Sequence, residues 1–225
     1  ITDFVYIPIS TEIRMSSPDG LFSAHFTPSS MYNDIIARIS VLPDSQNIYK
    51  TDPQYQRVGK IYDLQPFDEP VNSGVRITLR SPEAERHPDG LALYYWDTKK
   101  GWLYIPSDTD SINRSYSARV TSLEKFTLIQ DTIPPVLYPL AVTRGNIIQS
   151  SDKSLKFFLK DEMSGIYRER QIQAEINGKW HFCEFDPEED IVQVDIPESA
   201  RLPVEIKIEA VDNLGNKTSK IYTLE

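Results

Sequence analysis

Two short stretches in the second half of the chain carry closely spaced side-chain oxygens. Asp161 and Glu162 follow one apolar segment, and Asp212, Asn213 and Asn216 follow another. Carboxylate and amide oxygens clustered at strand ends are ligands that Ca²⁺ prefers. The same residue types suit tight turns, because Asn and Gly tolerate positive φ and Asp caps its own backbone. The pattern favours turns, with a calcium site as the alternative, and we expect no other cofactor.

Residues that could act as nucleophiles or zinc ligands are few. The chain has three histidines, His25, His87 and His181, and one cysteine, Cys183. No His-x-His or cysteine pair occurs, so a zinc site would require distant carboxylates to converge. Cys183 lies in the apolar stretch 180–185, where a cysteine is more often a small buried side chain than a nucleophile. The sequence also lacks a Gly-x-Ser-x-Gly elbow, a glycine-rich phosphate loop and an EF-hand pattern.

A group of aromatic residues forms a third set of candidates. Two aromatic segments, 91–96 and 102–105, flank a loop of five residues that ends in Gly101, which is typical of a β-hairpin. An exposed pair of rings, Tyr94 with Trp96, would form a platform for stacking on a sugar. Because a sandwich uses one face of each sheet as core, at least half of these aromatics should be buried. The candidate carbohydrate- or peptidoglycan-binding residues are Tyr94, Trp96, Trp102 and Tyr104.

Composition and charge narrow the class of partner. The 225 residues include 40% apolar and 25% charged side chains, and the net charge is −9. Residues 1–131 carry 13 basic and 17 acidic side chains, and residues 132–225 carry 11 and 16, so both halves are acidic. No cluster of Lys and Arg is visible along the sequence to neutralise phosphates, and we expect no nucleic-acid partner. No apolar run is long enough to span a membrane, so membrane insertion of this segment is not expected either.

Apolar and polar residues alternate with a period of two, which is the pattern of half-buried strands. The alternation stops at Asp131-Thr132-Ile133-Pro134-Pro135, because paired prolines fix φ and remove backbone donors. It then resumes and produces about seven further strands at the spacing of a sandwich. No segment has a sustained helical period. The sequence therefore predicts an all-β fold of two consecutive β-sandwich domains, residues 1–131 and 132–225.

Both predicted domains contain segments that are typical of known families. In the first half these are Gly20-Leu21-Phe22 with Phe26-Thr27-Pro28, Tyr62-Asp63-Leu64-Gln65-Pro66 with Pro70-Val71, and Leu91-Ala92-Leu93-Tyr94 with Gly101-Trp102. This order resembles the ZU5 domain and its autoproteolytic GAIN-like relatives. In the second half they are Asp131 with Pro134-Pro135, Asp161-Glu162-Met163-Ser164-Gly165-Ile166 and Ala210-Val211-Asp212-Asn213-Leu214-Gly215-Asn216. They resemble a bacterial immunoglobulin-like domain.

The first resemblance implies one activity that can be checked against the residues. Autoproteolytic relatives cleave at a His-apolar-Ser/Thr tripeptide, in which the histidine activates the hydroxyl. The matching position here is Lys125-Phe126-Thr127, which has the hydroxyl but not the base, because a lysine near its ordinary pKa is protonated at neutral pH. We therefore predict an uncleaved chain and no enzymatic activity.

The combination of the two families is similar to the C-terminal regions of exported bacterial proteins, some with an upstream M23-type peptidoglycan peptidase. The metal-binding signature of that peptidase is missing from this sequence. The resemblance implies a non-catalytic accessory, spacer or adhesion module of a cell-envelope protein, which would be extracellular, periplasmic or on the bacterial cell surface. Its expected partners are other domains of the same polypeptide, or envelope proteins and glycans. Because the sequence starts at Ile1 and not at Met, we expect a mature form or an excised fragment.

Overall fold

The computed structural model describes residues 4–43, 49–87 and 89–225, and strands dominate them. The helical segments within this part of the chain are two 3-10 turns, Pro82–Arg86 and Glu169–Gln171. The predicted all-β class is therefore confirmed. None of the described helices is long and apolar enough to cross a membrane.

The chain divides into two compact units, Ile1–Asp131 and Thr132–Glu225. The division falls in the proline joint, where residues 131–135 belong to no strand. Each unit has a hydrophobic core of its own, one drawn from residues 7–128 and the other from residues 137–224.

The first unit consists of two antiparallel sheets. One sheet has six strands in the order β1-β4-β5-β11-β7-β8, and the other has five in the order β2-β3-β6-β10-β9. The strands are β1 Val5–Ile7, β2 Ile13–Ser16, β3 Phe22–Phe26, β4 Ile35–Leu42, β5 Gln56–Gln65, β6 Val75–Arg80, β7 Leu91–Asp97, β8 Gly101–Ile105, β9 Asp108–Asp110, β10 Ser115–Val120 and β11 Lys125–Gln130.

The alternation seen in the sequence decides which side chains of the first unit lie inside. In β3 the residues Phe22, Ala24 and Phe26 are fully buried, whereas the residues between them are partly exposed. The Phe22 ring stacks on Tyr62 at 5.2 Å and on Phe126 at 5.7 Å between ring centroids. The two sheets therefore pack through the positions that a period of two assigns to the interior.

The second unit has sheets of four and six strands. Their orders are β12-β15-β19-β18 and β13-β14-β21-β20-β16-β17, and β14 with β21 is a parallel pair. The strands are β12 Val136–Pro139, β13 Thr143–Arg144, β14 Ile147–Ile148, β15 Ser154–Lys160, β16 Ile172–Ile176, β17 Lys179–His181, β18 Cys183–Asp186, β19 Ile191–Asp195, β20 Val204–Val211 and β21 Lys217–Leu224. These are more strands than the seven expected, and β13 and β14 are only two residues long.

Two local predictions for the strands are wrong in detail. The stretch 180–185 is not one strand, because β17 ends at His181 and β18 begins at Cys183 in the other sheet. Phe182, at the change of sheet, is more than half exposed. The aromatic hairpin of the first unit has a tighter loop than expected, since β7 ends at Asp97 and β8 begins at Gly101.

Candidate functional site

Two turns of the second unit bring Asp161 and Asp212 together. Asp161 directly follows β15 and Asp212 directly follows β20. Their nearest carboxylate oxygens lie within 4.8 Å of each other. Asp212 is only 4% exposed, and Asp161 is half-buried. The predicted acidic group is therefore a real cluster, formed by residues 51 positions apart in the chain.

The backbone of each turn is held by its own aspartate. Asp161 Oδ1 accepts hydrogen bonds from the amide of Gly165 at 2.6 Å and from the hydroxyl of Ser164 at 3.1 Å. Asp212 Oδ1 accepts from the amides of Leu214 and Asn216, both at 2.8 Å. These are the contacts that the turn interpretation predicts, because Asp side chains cap the chain a few residues ahead.

The remaining three residues of the calcium prediction have other contacts. The Asn213 side-chain amide donates to the carbonyls of Ser164 at 2.8 Å and Gly165 at 3.0 Å, so it ties the two turns together. Asn216 donates from Nδ2 to Asp212 Oδ2 at 2.7 Å. Glu162 forms an ion pair with Lys160 at 3.4 Å. Only Asp161 and Asp212 of the five are therefore placed as a pair of potential ligands.

The two carboxylates repel each other when both are ionised. At their separation, Coulomb's law with an effective dielectric of about 20 gives a repulsion of about 3 kcal/mol. A divalent cation between them would replace this repulsion by attraction, with carboxylate oxygens as its ligands. The hydrogen bonds of Asp161 and Asp212 hold the two turns, and their carboxylates offer oxygen ligands of the kind that Ca²⁺ prefers.

The aromatic hairpin is packed and does not form a platform. Tyr94 is fully buried and Trp102 is 6% exposed, while Trp96 and Tyr104 are half-buried. Their rings meet edge to face, Tyr94 with Tyr104 at 5.8 Å and Trp96 with Trp102 at 5.1 Å between centroids. Tyr49 adds a further edge contact to Trp96 at 5.2 Å. The condition for stacking on a sugar, joint exposure of Tyr94 and Trp96, is not met.

The candidate cleavage position lies inside the first unit. Thr127 is fully buried in β11, and its hydroxyl donates a hydrogen bond to the carbonyl oxygen of Lys60 at 3.0 Å. Phe126 is part of the core. The hydroxyl is therefore occupied by the main chain of the neighbouring strand β5.

Lys125, the first residue of the tripeptide Lys125-Phe126-Thr127, lies in an aromatic and acidic environment. Its Nζ lies 3.7 Å from the centroid of the Phe67 ring and 3.8 Å from Asp63 Oδ1. Burial raises the pKa of Asp63, against the opposing effects of Lys125 and of the hydrogen bond from Gln65. The contacts with Phe67 and Asp63 give Lys125 a structural role.

His25 and His87 each contact a polar side chain, and Cys183 is buried. His25 Nε2 lies 2.7 Å from Glu12 Oε1, and His87 Nδ1 lies 2.7 Å from Gln130 Oε1. Cys183 is buried, and burial raises the pKa of its thiol, with the nearby charge of Glu169 acting in the same direction. The thiolate, which is the reactive form, is therefore disfavoured.

One feature was missed in the sequence. Four arginines, Arg14, Arg76, Arg80 and Arg119, occupy outward positions of the five-stranded sheet and are exposed. They come from three strands and do not form a run in the chain, so they are not visible as a basic cluster along the sequence. The signal available was the alternation itself, which assigns all four to the solvent side of β2, β6 and β10.

Neither the models of known protein families nor the curated proteins match this chain. The resemblances to ZU5 or GAIN-like and immunoglobulin-like domains therefore rest on the segments quoted above.

Proposed function

We propose that this chain is a non-catalytic accessory segment of an exported bacterial cell-envelope protein. In this role a ZU5- or GAIN-like sandwich and an immunoglobulin-like sandwich space a functional domain or hold a partner outside the cytoplasm. The observation that carries the proposal is the state of Thr127, whose hydroxyl is buried and bonded to the carbonyl of Lys60. This hydroxyl donates to a main-chain carbonyl and not to a base, and it would have to give up that hydrogen bond to attack the carbonyl of Phe126.

The intact mass of the purified chain tests this proposal. After prolonged incubation at neutral pH we expect one species with the full mass. Thr127→Val, which removes the hydroxyl but keeps the branched shape, is the matched control and should give the same single species. A pair of fragments with termini at Phe126 and Thr127 in the wild type, absent in the control, would contradict the proposal.

Calcium binding at Asp161 and Asp212 is a second candidate function, favoured by the close approach of their carboxylates. If Ca²⁺ binds, millimolar calcium should raise the melting temperature of the wild-type chain, because a ligand of the folded state stabilises it. Asp161→Asn keeps an oxygen that can accept the hydrogen bonds of the turn but removes one charge. This variant should melt at or above the wild-type temperature without calcium and should not respond to calcium.

The outcomes separate the turn from the metal site. If calcium leaves the melting temperature of the wild type unchanged, Asp161 and Asp212 do not bind calcium and serve only to hold the two turns. Magnesium at the same concentration is the control for ionic strength, since Mg²⁺ requires a stricter octahedral geometry.

A further inference from the structure

The five-stranded sheet of the first unit carries a row of basic residues across its outer face. The strand register places Arg14 opposite His25, His25 opposite Arg76, and Arg76 opposite Arg119. The row crosses β2, β3, β6 and β10 in order. The three arginines are exposed and His25 is half-buried.

A row of hydroxyl groups runs beside the basic row. Ser16 is opposite Ser23, Ser23 is opposite Thr78, and Thr78 is opposite Ser117. Thr78 Oγ1 and Ser117 Oγ lie 2.8 Å apart. Because residues two apart on a strand share one face, the hydroxyl row lies about 7 Å from the basic row. Arg80 continues the same face on the other side of the hydroxyls.

The side chains of the two rows on β2, β3 and β6, together with Arg80, line a groove of about 240 Å³. Arg14, Arg76 and Arg80 contribute three cations, and Ser16, Ser23 and Thr78 contribute hydroxyls; His25, Gly20 and Leu21 complete the lining. None of these lining residues is acidic, although the chain as a whole has a net charge of −9.

The acidic residues near the face lie at its margins. Glu12 contacts His25 at 2.7 Å, and Asp108, on the edge strand β9, contacts Arg76 at 3.2 Å. Hydrogen bonds from Asn113 and, to a smaller extent, the charge of Arg80 lower the pKa of Asp110, which also lies on β9. The Arg76–Asp108 pair is exposed on both sides, and such pairs contribute at most about 1 kcal/mol, so an incoming anion can replace it.

The arrangement of basic residues on this face is unfavourable for the stability of the sheet. Like charges directly opposite each other on a sheet are destabilising, and Arg76 lies opposite Arg119, whose guanidinium donates to the carbonyl oxygen of Ser73. Arginines present a planar fork that binds carboxylate or phosphate with two hydrogen bonds. An oxyanion in the groove would remove the repulsion between the arginines and fill their forks.

We propose that this face binds an acidic carbohydrate. The carboxylate or phosphate groups of the sugar would bind to Arg14, Arg76 and Arg80, and its hydroxyls would bind to the row of serine and threonine side chains between them. A nucleic acid fits less well, because the groove lining contains no Phe, Tyr or Trp on which bases could stack. The site is separate from the aromatic hairpin and does not depend on the accessory role proposed above.

Isothermal titration of the whole chain with polygalacturonate, a polymer of acidic sugars, tests the proposal. The wild type should bind, and binding should weaken as salt rises. The triple variant Arg14→Gln, Arg76→Gln, Arg80→Gln should lose at least about tenfold in affinity, because charge-assisted hydrogen bonds are removed. Inorganic phosphate alone should compete, which would show that the oxyanion group is what the groove recognises.

Matched controls keep the result specific. Arg144→Gln with Arg201→Gln removes two exposed arginines of the second unit and should leave the affinity unchanged. Melting curves report whether each variant folds, and the single variant Arg14→Gln replaces the triple one if that fails to fold. The proposal is overturned by any of three results: no binding to polygalacturonate, equal binding by the folded variant, or tighter binding of an oligothymidylate. The intact-mass experiment on Thr127 is independent, so failure here leaves the accessory role standing.

Discussion

The outer faces of two sheets, one in each unit, follow the same alternation but arrange their charges differently. On the second unit, Glu175 faces Lys207, and Glu209 lies 2.9 Å from Lys217 and 3.2 Å from Lys207. Glu175, Lys207, Glu209 and Lys217 each have an opposite charge beside them. On the first unit, the cross-strand neighbours Arg14, His25, Arg76 and Arg119 are all basic.

The difference indicates which face serves folding and which serves binding. Opposite charges across strands each contribute a few tenths to about 1 kcal/mol, whereas like charges cost a similar amount. A face with paired charges therefore stabilises its own sheet, whereas the arginine face is offset only by exposed pairs such as Arg76–Asp108, which an external anion could replace. One groove on the second unit, of about 370 Å³, is lined by Glu209 together with Arg170 and Lys217.

The largest expected effect comes from reversing a charge on the paired face. Glu209→Lys removes the ion pairs to Lys207 and Lys217 and creates two repulsions, so the second unit should lose about 2 kcal/mol of folding free energy. Urea unfolding at neutral pH measures the loss. An unchanged midpoint would show that the pairing on this face does not support the sheet.

A smaller effect is expected from neutralising the same residue, and it should depend on pH. The hydrogen bond from Lys217 and the contacts with Lys207 and Ser219 hold the pKa of Glu209 at about 2, below its ordinary value of 4.5. A group whose pKa is lower in the folded state stabilises the fold above its unfolded pKa and loses this contribution as pH falls through its folded pKa. The wild type should therefore be more stable than Glu209→Gln at pH 7, by about 1 kcal/mol.

The difference between wild type and Glu209→Gln should shrink as the pH falls from 4.5 toward 2. Urea unfolding of both proteins at several pH values follows it. A difference that stays constant over this range would assign the effect to packing and not to the carboxylate.

The smallest expected effect on stability is on the first unit. Arg76→Glu places a carboxylate between His25 and Arg119 but loses the exposed pair with Asp108, so the melting temperature should change little. The matched comparison is with Glu209→Lys, which reverses a charge on the other face. A clear loss of stability in Arg76→Glu would mean that the arginine row supports the fold and would remove the contrast between the two faces.

Much of the strand pattern could be predicted from the sequence because burial follows a period of two. The assignments of Phe22, Ala24 and Phe26 to the interior and of Arg76 and Arg80 to the surface require only local alternation. The dipeptide Asn177-Gly178 is a sequence signal for a two-residue hairpin turn. It connects β16 to β17, and both residues adopt the positive φ that such a turn requires, 50° and 72°.

The features that the sequence did not predict depend on which strands become neighbours. The sequence left open whether the face of Tyr94 and Trp96 is core or surface. In the structure β7 lies between β11 and β8, and side chains on both of its faces are buried. The arginine row needed the order β2-β3-β6-β10, which alternation along the chain does not contain. The approach of Asp161 to Asp212 was visible only as two separate turn signals.

The most direct test of the account is a chemical-shift map of the isotopically labelled chain titrated with polygalacturonate. We expect the largest backbone shifts at residues 14–16, 23–25 and 76–80, on the outer face of the five-stranded sheet, and little change elsewhere. Shifts centred on the aromatic hairpin at 91–105, or on the paired-charge face around Glu209, would contradict the assignment of binding to the arginine row.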